Sequence, residues 1–162
     1  MAQQLRHRVL PSDRHTVREL VEATGFFRPN EVDVAEELVR EHLARGDASG
    51  YKFVFAELDG KMTGYACYGP IAVTLGCYDL YWIVVHPSFQ RQGIGQQLLH
   101  DAERLIAHEH GRQIYIETSS QPLYAATQAF YTRSGYVLEA TLKDFYAPGD
   151  DKLTYVKRLN AN

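Results

Sequence analysis

The stretch from Tyr78 to Ile106 constrains the fold more than any other part of the chain. Tyr78 to Val85 is its most β-prone run, and His86-Pro87 ends it. Gln90 to Gly95 supplies a loop with two glycines. Ile94, Leu98, Leu99, Ala102, Leu105 and Ile106 then recur at helical spacing. A strand that feeds a helix through a glycine-bearing loop belongs to an α/β fold, with the helix packed back on the sheet. Glycines let the backbone turn tightly and approach a ligand closely. The unsatisfied N–H groups of the helix start point into that loop, and with the helix dipole they favour an anion, above all a pyrophosphate. Arg91 adds a formal charge.

The flanking sequence alternates element types. Arg6 to Leu10 predicts a short strand, followed by a helix with Ser12 as its cap. Val17, Leu20 and Val21 form its apolar stripe and Gly25 closes it. Pro29 and Asn30 open a second helix with Val32, Ala35, Leu38, Val39 and Leu43 on one face. Tyr51 to Leu58 and Lys61 to Tyr68 are strands joined by the hairpin signal Asp59-Gly60. Beyond the long helix, which Gly111 ends, come a strand over 113–118, a helix over 123–133, a strand over 136–142, a polar loop over 146–151 and a strand over 152–159. Seven strands and four helices in this order predict a mixed, mostly antiparallel sheet with helical crossovers.

With 162 residues the chain is read as a single domain spanning 1–162. The net charge of -3 leaves no basic field for a phosphate backbone, so nucleic acid is not expected as a partner. The two cysteines, Cys67 and Cys77, read as small buried hydrophobes. No apolar run reaches membrane-spanning length and no leader is evident, so a cytoplasmic, membrane-free setting is expected. His108-Glu109-His110 lacks the spacing of a metal-binding His-Glu-x-x-His and reads as a solvated helix end, so no metal is expected.

The loop fails two common phosphate signatures. It has neither the Lys nor the hydroxyl of a nucleotide P-loop, and Leu98 stands where a dinucleotide fingerprint needs its third glycine. A third pattern fits. Val85 to Leu99, with Gln90, Gly93 and Gly95 in place, resembles the acyl-CoA signature Gln/Arg-x-x-Gly-x-Gly/Ala of the GNAT superfamily of N-acetyltransferases, which follows a strand ending in Val-x-Pro. Ala129 to Tyr136 resembles the family's second motif, a Phe-Tyr near the end of a short helix followed by Gly-aromatic. Motif spacing and element order match over essentially the whole chain.

The resemblance implies a GNAT-like α/β sheet whose fourth and fifth strands splay around the co-substrate acetyl-CoA. Backbone at Val84 and Val85 would meet the pantetheine and polarise the thioester carbonyl, an oxyanion-hole role. Gln90, Arg91, Gln92, Gly93, Ile94, Gly95 and Gln96 would hold the pyrophosphate. Tyr131 matches the tyrosine that donates to the departing CoA thiolate. Glu117 matches the base of ribosomal-protein N-terminal acetyltransferases and Asp79 that of histone acetyltransferases; either could act through water, and Tyr81 or His86 are further alternatives. Glu117 could equally be a strand charge paired with Arg112 or Arg133, and Asp79 a turn residue at a strand start. Two features depart from the family: many members carry Asn where Tyr124 stands, and the connection from Glu117 to Tyr131 is longer than in the ribosomal-protein enzymes.

The acceptor groove implied by the family would draw on Phe27, Tyr81 and Tyr146. The expected acceptor is an amine, on a small molecule or a peptide, and a homodimer is compatible with the resemblance. A non-catalytic acyl-CoA-binding sensor is the competing reading.

Overall fold

The structure is a computed structural model and describes residues 3–159. Its strands are β1 (Gln4–Arg6), β2 (Lys52–Leu58), β3 (Lys61–Pro70), β4 (Cys77–Val85), β5 (Gln113–Ser119), β6 (Val137–Ala147) and β7 (Asp150–Arg158). Its helices are α1 (Asp13–Thr24), α2 (Pro29–Arg45), α3 (Ile94–His108) and α4 (Ala125–Arg133), with short 3-10 turns at Gly46–Ser49, Pro87–Phe89 and Pro122–Tyr124. The strands form one seven-stranded sheet in the order β1-β2-β3-β4-β5-β7-β6. Every neighbouring pair is antiparallel except β4 and β5, which run parallel. This is the mixed sheet and helix set that the sequence predicts.

A helix can bury only one stripe, so each face of the sheet acquires its own core. On one face Ile94, Leu98, Leu99 and Ile106 of α3 meet Val54, Ala66, Leu80, Ile114 and Ile116, and Tyr131, Tyr136 and Tyr155 extend this core beneath α4. On the other face Val17, Leu20 and Val21 of α1 and Val32, Ala35 and Val39 of α2 meet Phe53, Phe55, Tyr65, Cys67 and Val84. Both cysteines are buried, as expected from their setting. Of the predicted stripe of α2, only Leu43 faces solvent.

The first strand lies earlier than predicted, at Gln4–Arg6 rather than Arg6 to Leu10. Arg6 explains the early stop. Its guanidinium grips both Asp13 carboxylate oxygens at 2.8 Å, its Nε donates to Glu57 at 2.7 Å, and it lies 4.5 Å above the Phe55 ring. The chain must turn at once to bring Asp13 to it. Ser12 does not cap α1 through its side chain; the Leu10 N–H donates to Asp13 Oδ2 instead. The tip of the last hairpin is Pro148-Gly149, tighter than the predicted loop, with β6 running on to Ala147. Gly111 does not itself end α3. His110 takes the left-handed turn at φ 65°, and Gly111 is needed because a Cβ there would lie 2.3 Å from Ile106.

Two glycines bring backbones together where side chains would not fit. A Cβ on Gly64 would stand 2.7 Å from the Val84 carbonyl oxygen, and one on Gly69 would stand 1.8 Å from that of Gly50. Gly64 thus seats the end of β4 deep against β3, and Gly69 lets the corner before β2 rest on the sheet.

Candidate active site

The parallel ladder between β4 and β5 has only the rungs Cys77↔Gln113, Tyr78↔Ile114 and Asp79↔Tyr115. Beyond Asp79 both strands continue, β4 to Val85 and β5 to Ser119, without pairing to each other. The sheet therefore opens into a wedge. Tyr81 sits at its inner end, in a β-bulge. Cys67 pairs with Trp82 and Tyr68 with Leu80, which leaves Tyr81 no partner in β3. A bulge re-aims its residue and commonly lies beside a site.

The loop between β4 and α3 lies at the open end. Arg91 and Gly93 both have positive φ, 64° and 80°. Among the described residues no acceptor takes the backbone N–H groups from Gln90 to Gln96. Such a run, ending on a fifteen-residue helix, is an anion cradle. A Cβ on Gly93 would meet nothing within 4 Å, so this glycine serves the backbone angle and leaves the cradle open. Gly95 faces Phe130 and Val85. The Gln90 side chain donates to the Val85 carbonyl at 3.3 Å and closes the turn out of β4. Arg91 and Gln92 are exposed. Gln96 is tied to His100 at 2.7 Å. The side chains of Ile94 and Val84 are buried in the two cores, so these residues can offer a ligand only their backbones.

Strand alternation sorts the titratable residues to the two faces. Leu80, Ile114 and Ile116 point to the α3 core, so Asp79, Tyr115 and Glu117 project from the opposite face. Tyr131 lies on the α3 side, packed by Phe130, Tyr136 and Tyr155 at ring distances of 5.5, 5.9 and 6.3 Å. The wedge is thus flanked by a phenol on one face and two carboxylates on the other. Burial pushes the Tyr131 hydroxyl up, so it holds its proton, and no group among the described residues takes that proton in a hydrogen bond. Burial, and then the charge of Glu117, raise Asp79 above the usual aspartate range.

Glu117 is half-exposed and pairs with Lys152 at 3.6 Å, rather than with Arg112 or Arg133. Lys152 also lies 4.0 Å over the Phe145 ring. Asp79 lies within β4 and is not a turn residue. His86 accepts the Ser88 N–H on Nδ1 and shapes the turn after β4. Burial, then Asp79, push Tyr81 up to about 12, so it is not a base at neutral pH.

Aromatic pairs wall the carboxylate side. Tyr81 meets Tyr51 at 5.6 Å, Phe27 meets Trp82 at 6.1 Å, and Tyr146 meets Phe145 at 5.1 Å. Phe26, which precedes Phe27 in the connection between the first two helices, packs edge-on against Tyr124 at 4.7 Å. Burial raises Tyr146 and Tyr124, as do the acidic groups around them, Glu117, Asp150 and Glu31 for Tyr146 and Glu31 and Asp150 for Tyr124. The wall is therefore aromatic with an acidic cast. Among the described residues no group of three His, Cys, Asp or Glu side chains is placed to hold a metal ion, and no helix is long and apolar enough to cross a membrane.

A half-open parallel pair beside an anion-cradling loop defines an acetyltransferase fold, and comparison with known proteins assigns it. Residues 15–136 match the model of the Acetyltransferase (GNAT) family, and the chain belongs to that family of enzymes. A protein of Desulfovibrio desulfuricans whose crystal structure is described as that of a GNAT-family acetyltransferase is 50% identical. Its TM-score is 0.93, and the match covers 97% of this chain and 99% of that one. An aminoglycoside 6'-N-acetyltransferase complexed with coenzyme A shares the fold at 20% identity, with a TM-score of 0.80 and coverage of 100% and 99%. PaiA N-acetyltransferase of Thermoplasma acidophilum, in complex with coenzyme A, does so at 18% identity, with a TM-score of 0.75 and coverage of 98% and 100%. No curated protein matches the chain.

Proposed function

We propose that this acetyltransferase moves the acetyl group of acetyl-CoA to a primary amine by direct attack in a ternary complex. The observation that carries this reading is the wedge itself: β4 loses its β5 partner beyond Asp79, and the open edge leads to a row of unpaired N–H groups from Gln90 to Gln96. Pantetheine would lie along the open edge of β4 near Val84 and Val85. The pyrophosphate would lie on the N–H groups from Gln90 to Gln96. A backbone N–H of β4 at its end would hold the thioester oxygen as charge develops there, worth about 3 kcal/mol.

The two proton movements fall to opposite faces. The amine arrives as an ammonium and must lose a proton. Asp79 takes it, directly or through a water, because a carboxylate held above its ordinary range is the better base near neutral pH. Glu117 is its charged neighbour and the alternative base. Tyr131 donates to the CoA sulfur. A phenol of ordinary pKa about 10 already lies some 2 kcal/mol uphill of a thiol near 8.5, and burial widens that gap. Its contribution is therefore a hydrogen bond to the developing thiolate rather than a completed transfer. The aromatic, acidic wall of Tyr81, Tyr146, Phe27 and Tyr124 suits a cationic amine with an apolar part, on a small molecule or a peptide.

The test is release of CoA thiol from acetyl-CoA against a panel of amines, amino acids and short peptides, with the native chain and Tyr131→Phe. Amine-dependent release that falls at least about tenfold in the variant, with acetyl-CoA affinity intact, supports the assignment. Release unchanged by the substitution removes Tyr131 as donor. Tight acetyl-CoA binding without release for any acceptor would favour a sensor.

A further inference from the structure

A second cleft, of about 420 Å³, lies at the end of the sheet remote from the phosphate loop. It is bounded by the segment between β1 and α1, the end of α2, the start of β2, the end of β3 and the end of α3. Its polar lining includes Arg8, His42, Asp47, Lys52, Tyr68 and Glu109. Lys52 and Tyr68 face each other across the β2–β3 ladder. None of these residues borders the wedge.

Most of the charges here are already matched. Lys52 Nζ lies 2.6 Å from Glu109 Oε1, and the Tyr78 hydroxyl donates to Glu109 Oε2 at 2.8 Å. His7, which also lines the cleft, pairs with Asp101, which Arg104 holds at 2.7 Å. His42 Nδ1 contacts the Tyr51 carbonyl at 2.6 Å. Among the described residues three groups have neither a hydrogen-bond nor an ion-pair partner: the Arg8 guanidinium, the Asp47 carboxylate and the Tyr68 hydroxyl.

Tyr68 points to a ligand. The residue is only 3% exposed, so its ring is fixed, yet its hydroxyl is not one of the sealed, unpartnered polar atoms; those are Tyr65 Oη and Trp82 Nε1. It opens on the cleft instead. Burial, and then Glu109, Tyr78, Asp101 and Asp47, raise it, so it remains a neutral hydroxyl. A hydroxyl held by a fixed ring, open to a cleft and without a protein partner, is free to meet a polar atom of a ligand. With Glu109 matched by Lys52, and Asp101 behind the lining matched by His7 and Arg104, the charges left over are one of each sign, Arg8 and Asp47. Only a molecule with both charges meets both free groups without opposing one.

We propose that this cleft binds a small zwitterion, with its anionic end on Arg8, its ammonium on Asp47 and a polar atom on the Tyr68 hydroxyl. The cleft has room for a molecule of amino-acid size. The cleft is joined to the acceptor wall through one short stretch of chain: the segment that carries Asp47 leads to Gly50, whose carbonyl rests on Gly69, and to Tyr51, whose ring meets Tyr81.

The test is an NMR titration of the isotopically labelled chain without acetyl-CoA, using β-alanine, γ-aminobutyrate and L-glutamine as probes and acetate and methylammonium as single-charge controls. The expected result is a saturable shift of the Arg8, Asp47 and Tyr68 amide signals with at least one zwitterion and with neither control. Asp47→Asn and Arg8→Gln, both at exposed positions, should each weaken it about tenfold and leave acetyl-CoA binding unchanged. Tyr68→Phe should weaken it too. The proposal is overturned if no zwitterion gives a saturable shift, if a control binds equally well, if the shifts fall in the loop from Gln90 to Gln96, or if neither exposed variant loses affinity.

Discussion

Lys152 Nζ stands 3.6 Å from a Glu117 carboxylate oxygen while resting 4.0 Å above the Phe145 ring. This engages Glu117 on the solvent side of β5 and makes it the charged neighbour of Asp79 rather than a free competitor. Burial first, and then Glu117, raise Asp79. A base must be deprotonated to act, so the acidic limb of the kcat/KM profile should lie above the ordinary aspartate range. Glu117→Gln removes the negative neighbour and should move that limb to lower pH with activity retained. A profile that does not move, together with loss of activity, would make Glu117 the base.

Asp79 also carries a stability signature. Its folded pKa lies above its unfolded value, so its favourable contribution is complete below the unfolded value and is lost as pH rises through the folded one. At neutral pH the ionised carboxylate weighs against the fold. Asp79→Asn should therefore raise Tm at neutral pH while abolishing most turnover, and the gain should vanish in acid. Thermal melts across pH check this.

The Tyr131 ring is held in the α3 core by three aromatic neighbours, and its hydroxyl has no partner among the described residues. Tyr131→Phe should change the stability by no more than about 1 kcal/mol and lower kcat by about a hundredfold. Paired melts and steady-state kinetics separate the two.

Arg6 bears on folding rather than on chemistry. Asp13, 2% exposed, depends on its two 2.8 Å hydrogen bonds to Arg6. Arg6→Met leaves that carboxylate buried without its partner and should cost about 3 kcal/mol. Replacing Asp13 with Asn in the same chain should recover part of the loss, as denaturant titration would show.

Gly93 and Gly64 should respond differently to alanine. Gly93→Ala meets open space but a φ of 80°, so it should cost about 1 kcal/mol and weaken acetyl-CoA binding by disturbing the N–H row. Gly64→Ala meets the Val84 carbonyl at 2.7 Å and should cost about 2 kcal/mol. Calorimetry with acetyl-CoA and thermal melts distinguish a cradle from a packing site.

The parts of the fold legible in the sequence are those written locally. The apolar stripes of α1 and α3, the Asp59-Gly60 hairpin and the glycines of the phosphate loop need only a window of residues to be read. The start of the chain is different. β1 ends at Arg6 because Arg6 is claimed by Asp13 and Glu57, a pairing no local pattern announces. The same holds at the site. Its loop was visible, and the resemblance marked Tyr131, Asp79 and Glu117. The Lys152–Glu117 pair and the Phe26–Tyr124 contact join residues far apart in sequence, so only the folded chain brings them into view. Tyr124 departs from the family pattern in the sequence itself, whereas its packing on Phe26 follows from neither residue's neighbours.

The short β4–β5 ladder also has a mechanical meaning. Three rungs join a half-sheet of β1 to β4 to a half-sheet of β5, β7 and β6, and all three lie at one end. The molecule is built like a peg whose jaws are Val85 and Ser119 and whose spring is the joint ending at Asp79 and Tyr115. A small rotation at the joint is levered into a larger opening at the jaws. The stiffness of those three rungs therefore governs how far the jaws part, at a distance from whatever they hold.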